Sequence, residues 1–159
     1  MLAAKRHIFT FSTAVTVLAT AAVLLYLLIW RKVQPVKGTV TSRFGNRTAP
    51  LAGASTYHTG TDIAVPVGTK VRSPWSGKVT SVYSNASGGK QMVITHHNGY
   101  TTGYAHLSEW KKQEGDRVMA GTVVALSGNT GNTTGPHLHF TLRDRKGNRI
   151  DPERKFNFK

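Results

Sequence analysis

The chain has 159 residues, room for one ordinary domain around a single core. Apolar residues make up 39% and aromatics 9%, too much for a chain whose main state is disordered, and the absence of cysteine excludes disulfide scaffolds, thiolate metal sites and cysteine nucleophiles together. Twenty-one Lys and Arg against seven Asp and Glu give a net charge of +14, a field that attracts nucleic acid, anionic lipid or an anionic wall polymer without choosing among them.

Residues 1–7 form a short basic N-terminus that includes Lys5, Arg6 and His7. Residues 8–30 then run without a charge, and a helix of that length, rising 1.5 Å per residue, crosses the roughly 30 Å hydrocarbon layer of a bilayer. The expectation is one N-terminal transmembrane helix serving as an anchor, with Tyr26 and Trp30 at the interface and Arg31 and Lys32 beyond it. A cleaved secretory signal competes with this reading, because Ala19-Thr20-Ala21 has the small-x-small form that a signal peptidase accepts. Cleavage there would leave Val23 to Trp30 as an apolar new terminus, which favours the uncleaved anchor. Flanking charge is nearly balanced and does not set the orientation. Thr13, Thr16 and Thr20 lie near one face; they could pack on a partner helix, but hydroxyls bonded back to their own helix are the simpler expectation.

Residues 31–42 read as a short linker, Val33 to Lys37, followed by a first strand, Gly38 to Ser42. Further on, β-branched runs punctuated by glycine predict strands at Thr61 to Ala64, Gly77 to Tyr83, Gln91 to His96, Thr101 to Leu107, Thr122 to Leu126 and His137 to Arg143. No stretch keeps a 3.6-residue apolar period for three turns, so this part of the chain is expected to be all-β. Turns are expected at Pro66-Val67-Gly68, Ser87-Gly88-Gly89 and Gly128-Asn129-Thr130-Gly131, and Asn98-Gly99 between two alternating runs is the clearest hairpin signal. Residues 144–159 are rich in Arg, Lys and Asn and read as a surface strand with a tail.

Five of the seven histidines fall into three groups: His58 with Asp62 four residues on, His106, and His137-Leu138-His139. In an extended chain residues i and i+2 share a face, so His137 and His139 point the same way on a strand. Two imidazoles side by side are held in common by a cation, or divide the labour so that one binds metal and the other moves protons. His96 and His97 stand beside the Asn98-Gly99 turn and are expected to be solvated hairpin residues.

These residues lie within segments that resemble, in order, those of the lysostaphin-type zinc endopeptidases of bacterial cell walls, the LytM-like family. Arg43-Phe44-Gly45-x-Arg47 is similar to the family's opening motif, and His58-Thr59-Gly60-Thr61-Asp62-Ile63-Ala64 to its His-x-Gly-x-Asp element. Pro66-x-Gly68-Thr69-x-Val71, Asn98-Gly99-Tyr100, Tyr104-Ala105-His106-Leu107 and Gly135-Pro136-His137-Leu138-His139-Phe140 complete the set. The resemblance runs from about Arg43 to Leu142, and the joint occurrence of these motifs is specific.

The resemblance implies an antiparallel β-sheet or sandwich, the duplicated hybrid motif, with a peptidase core over residues 43–143. It implies one zinc per chain held by His58, Asp62 and His139, with His137 and His106 as unligated catalytic histidines. The implied reaction is hydrolysis of peptide bonds in peptidoglycan by metal-activated water, with His137 as general base and His106 supporting the leaving amine or the charge that develops. Specificity would lie in loops around the groove, roughly Thr48 to Thr56 and Tyr83 to Lys90. Thr141 stands where many relatives carry Glu, at a position that is not a ligand. The implied setting is the cytoplasmic (inner) membrane, single-pass, with the catalytic domain in the periplasm or outside, close to its own membrane, as a monomer.

Two other function classes compete. A relative that has lost activity and serves as a wall-binding or amidase-activating adaptor is disfavoured by the retention of all five site residues. A nucleic-acid binder rests on charge alone, and Lys and Arg are scattered instead of interleaved with aromatics, so no specific nucleic-acid partner is expected.

Overall fold

The computed structural model describes residues 15–27, 31–49 and 55–159. Residues 15–27 form a helix, α1, which at 1.5 Å per residue is about 20 Å long. No helix among the described residues is long and apolar enough to cross a membrane, so they do not support the expected transmembrane helix. Residues 8–14 and 28–30 of the expected span lie outside the described residues. Within α1 the Thr20 hydroxyl donates to the Val17 carbonyl at 2.9 Å, the self-bonding expected of it.

The regular structure of the remaining described chain is almost entirely strand. In chain order the strands are β1 (Thr39–Ser42), β2 (Gly45–Asn46), β3 (Tyr57–His58), β4 (Thr61–Ala64), β5 (Lys70–Arg72), β6 (Gly77–Asn85), β7 (Gly89–His96), β8 (Thr101–Trp110), β9 (Arg117–Val118), β10 (Val123–Ser127), β11 (His137–Arg143) and β12 (Arg149–Ile150), followed by one 3₁₀ turn at Pro152–Arg154. Ten of them make one sheet with the order β1-β4-β11-β8-β7-β6-β9; β10 joins β8 to β5, and β12 flanks β11. All recorded pairings are antiparallel. The mostly antiparallel β architecture is the one expected. The predicted strands at Thr61 to Ala64 and His137 to Arg143 have the observed limits, whereas Gly77 to Tyr83, Gln91 to His96 and Thr101 to Leu107 are longer than the sequence suggested.

Alternation decides which side of the sheet is dry. Along β11, Leu138, Phe140 and Leu142 are fully buried, while His137, His139, Thr141 and Arg143 are half-buried on the opposite face. Along β4 the same rule buries Thr61 and Ile63 and turns Asp62 outward. One core of Ile63, Val71, Val79, Met92, Ile94, Leu107, Val124, Leu138, Phe140 and Leu142 therefore lies under the sheet, and the polar face above it is left for chemistry.

Strand β8 is long enough to serve two neighbours on one edge. Thr101 to Ala105 pair with β11, and Leu107 to Trp110 pair with β10. His106 sits at the changeover, where the register with β7 also slips, and its φ of 60° is the one positive value recorded for a residue other than glycine among the described residues. At Gly60, a Cβ would stand 2.4 Å from the Phe140 carbonyl oxygen, so only glycine lets the β3–β4 turn lie against β11.

Two regions differ from expectation. His96 is buried, 3% exposed, with its ring edge on Trp75 and its Nε2 at 2.8 Å from the Thr102 hydroxyl, which in turn donates to the Tyr104 hydroxyl. Only His97 of that pair is solvated. The C-terminal tail is not a loose surface segment: Phe156 and Phe158 are core residues packed on Phe140, and the Phe158 carbonyl accepts the Gly38 amide at 2.8 Å. The linker packs as well, with Val36 buried, the Val33 amide donating to Pro74 and the Arg72 amide to Pro35. Apolar residues spaced singly in a basic segment give no period to read, and only the completed sheet shows what they cover.

Candidate metal centre

Asp62 and His139 are direct cross-strand partners in the β4–β11 ladder, and both face the polar side. His58 reaches the same point from β3, whose pairing with β2 places His58 opposite Gly45. Three donor atoms thereby converge: His139 Nδ1 is 2.7 Å from Asp62 Oδ1, His58 Nε2 is 3.1 Å from that oxygen, and His58 Nε2 is 3.0 Å from His139 Nδ1. A tetrahedral ion with bonds of about 2.0 Å needs ligand atoms about 3.3 Å apart, so this triangle has the arrangement of one face of such a polyhedron with somewhat shorter edges. The three residues are the metal-capable cluster of the described chain.

The surroundings fix which atom each residue presents. His58 Nδ1 donates to the Arg43 carbonyl at 2.9 Å, leaving the Nε2 lone pair for the centre. Arg47 Nη1 donates to Asp62 Oδ2 at 3.3 Å and to the Ser42 hydroxyl at 2.6 Å, so the carboxylate offers Oδ1 inward. A ring nitrogen with a free lone pair facing a carboxylate oxygen is the donor chemistry of a divalent cation. Burial works to raise the Asp62 carboxyl, and its contacts with the His139 and His58 imidazoles override it, holding it well below the usual carboxylate range. Burial pushes His139 down, which keeps its lone pair available at neutral pH.

His137 and His106 complete one wall. Their rings are 4.6 Å apart, and His137 Nε2 lies 3.7 Å from Asp62 Oδ1. Each is aimed by a backbone carbonyl: His137 Nδ1 donates to Gly135 at 2.8 Å and His106 Nδ1 to Thr130 at 2.7 Å, so both leave Nε2 as the basic atom. Burial pushes His106 down as well, with the Thr130 contact opposing. The cleft above all five side chains has a volume of about 390 Å³ and is bordered by Tyr57 of β3, Asn85 at the end of β6, and Ser87 and Thr133 of the loops.

The five candidate residues named from sequence, His58, Asp62, His106, His137 and His139, are thus brought to one place. Sequence reasoning missed the supports. Arg47 stood in a quoted motif without a role, and Thr130 gave no signal beyond its turn. Thr130 donates through its hydroxyl to the Leu107 carbonyl at 2.8 Å and accepts the Lys90 amide at 3.0 Å, so it holds the loop that aims His106.

The description Peptidase family M23 matches residues 56–152. The chain belongs to this family. The M23 stretch contains all five convergent residues. The DD-carboxypeptidase/endopeptidase Mpg of Neisseria meningitidis serogroup B is 41% identical over 104 residues, covering 65% of this chain and 24% of Mpg. The peptidoglycan DD-endopeptidase ShyA of Vibrio cholerae is 40% identical over 107 residues, covering 67% of this chain and 25% of ShyA. The chain spans about a quarter of the length of these curated relatives. Among solved structures, a zinc-containing peptidase from Vibrio cholerae superposes with a TM-score of 0.68 at 38% identity, over 74% of this chain and 37% of that one. The catalytic domain of the antimicrobial peptidase lysostaphin from Staphylococcus simulans gives 0.66 at 30% identity, over 74% of this chain and 90% of that domain.

Proposed function

We propose that this M23 protein is a zinc-dependent metalloendopeptidase that hydrolyses peptide bonds in bacterial peptidoglycan. The observation that carries the reading is the joint geometry of three converging donors and two further imidazoles with free Nε2 atoms in one cleft. His58, Asp62 and His139 would hold one zinc, and two nitrogens with one carboxylate leave a further coordination position open, as hydrolytic zinc sites do. A zinc ion there supplies Lewis acidity toward a peptide carbonyl and lowers the pKa of water from near 16 to about 7.

The chain's own residues do the rest. His137, fixed through Nδ1, takes the proton of the attacking water at Nε2. The proton taken up by His137 passes on to the departing amine, with His106 beside it on the same wall, fixed through Thr130. Arg47 keeps Asp62 in one orientation, and the loops at the rim limit water around the bond. All five side chains come from one chain, which suits a monomer.

The anchor belongs to the same proposal. Every described residue of α1 is exposed, including Val15, Val17, Leu18, Leu24, Leu25 and Leu27, within an uncharged run from residue 8 to 30. We infer that this run holds the domain on the outer side of the cytoplasmic membrane, where its substrate lies.

Digestion of purified peptidoglycan by the full chain tests the function. Released peptides with new amino and carboxyl termini should be seen by mass spectrometry, disappear with a chelator and return with zinc. A protein carrying about one zinc per chain that releases nothing from several wall types overturns the reading.

A further inference from the structure

The polar face continues past the metal centre into a second cleft of about 180 Å³ that shares His139 and Ala105 with the first and ends on Arg143 and Arg149. On β11 the residues facing this side are His139, Thr141 and Arg143, so the Cα of Arg143 stands about 13 Å from that of His139 along the strand. Arg149 of β12 is the cross-strand partner of Arg143, and the two guanidinium side chains line one end of the cleft. Its floor is kept low at Gly103, where a Cβ would stand 2.5 Å from the Thr141 hydroxyl.

Two like charges so placed call for an anion, and the chain does not supply one. Among the described residues no ion pair includes Arg143 or Arg149. Asp144, the acid next to Arg143, is spent on its own turn: it accepts the Lys146 and Asn148 amides at 2.8 and 2.9 Å and the Asn148 side chain at 3.2 Å. One Arg143 donor is tied to the Gly147 carbonyl at 3.0 Å, which steadies the guanidinium and leaves its other N–H groups free of recorded partners. Arg149 is exposed, and desolvation, then the Arg143 charge, push it down from its ordinary value, with Tyr83 and Tyr57 opposing.

We propose that Arg143 and Arg149 form a carboxylate subsite, so that the protein prefers peptides carrying a free carboxylate near the bond to be cut over their uncharged counterparts. The proposal deepens the endopeptidase reading and rests on it. An extended peptide rises about 3.4 Å per residue, and arginine side chains reach back along the cleft, so the carboxylate belongs about two to four residues from the scissile bond. A planar fork that can grip a carboxylate bidentately distinguishes it from a carboxamide of the same shape.

The test uses crosslinked stem-type peptides that differ only in whether one carboxyl two to four residues from the scissile bond is free or amidated. For the full chain, kcat/KM should favour the free carboxylate about fivefold or more, and the ratio should shrink as salt rises. In the double variant R143Q/R149Q the ratio should fall to about one, whereas R143K/R149K should keep part of it. A wild-type ratio near one, or a double variant that retains the preference, overturns the subsite. Binding of the same peptides by calorimetry in the presence of a chelator separates this from failure of the endopeptidase reading. If neither peptide is cut, tighter binding of the free carboxylate by wild type than by R143Q/R149Q sustains the subsite, and equal binding overturns it.

Discussion

His106 holds a left-handed backbone conformation that a residue with a Cβ enters only against steric resistance of about 1 kcal/mol or more. The strain sits where β8 exchanges β11 for β10, and it turns an imidazole toward the metal donors. His106→Gly should therefore be more stable than His106→Ala by about 1 kcal/mol in urea unfolding, although both lose the imidazole; equal stabilities would show that the turn stores no strain. Replacement by Ala should also sort the five site residues. His58→Ala, Asp62→Ala and His139→Ala should lose both bound zinc and cleavage, while His137→Ala and His106→Ala should keep the metal and lose about a hundredfold or more in rate. Metal content and turnover on one set of preparations read both effects, and a His137→Ala protein that loses zinc while His139→Ala keeps it reverses the assignment of the pair. The placement of these five at one point was legible because their motifs carry their spacing. The aiming groups were not, because Arg43, Thr130 and Gly135 act through backbone carbonyls, which any residue possesses.

The hairpin of β7 and β8 shows what a sequence conveys about an element and what it withholds. Asn98-Gly99 marks the turn correctly: Gly99 has φ 84° and its amide donates to the His96 carbonyl at 2.9 Å. The environment of His96 is not in that signal, since a histidine at a hairpin end faces water or core depending on what later packs there, and here Trp75 and the Phe156 tail pack there. The two-residue strands β2, β3 and β9 escaped prediction because a pair of residues carries no period and forms a ladder only when the partner arrives. Burial pushes His96 from about 6.5 down to about 4. The folded state thus binds fewer protons than the unfolded chain between those values, so stability is fully present above about pH 6.5 and declines as pH falls toward 4, by roughly 3 kcal/mol at most. Urea midpoints over that range should fall less steeply in His96→Gln than in the wild type; parallel slopes would show that His96 is not a source of the acid sensitivity.

At the scale of the whole molecule, the described stretch from Lys32 to Lys37, ahead of the sheet, is packed on the folded body. The Val33 amide is bonded to Pro74 and the Lys32 ammonium to the Lys155 carbonyl at 2.9 Å, so the folded body begins directly after Arg31. A domain held by the apolar run before it would sit against the membrane surface, and the basic excess of the chain, +14 in all, would favour contact with anionic headgroups or wall polymers. Neither apolarity nor flanking charge fixes the side of the membrane, but the proposed substrate does, and it requires the N-terminus inside and the domain outside. The chain has no cysteine, so a single one introduced at exposed Glu114, absent from the clefts that border the five site residues, is an unambiguous reporter. In intact spheroplasts a membrane-impermeant maleimide should label Glu114→Cys as fully as it does after lysis, while a cytoplasmic thiol protein stays unlabelled until lysis. The labelled protein should sediment with membranes. Labelling that appears only after lysis would place the domain on the cytoplasmic side, away from any wall, and would separate this protein's membrane topology from its proposed substrate.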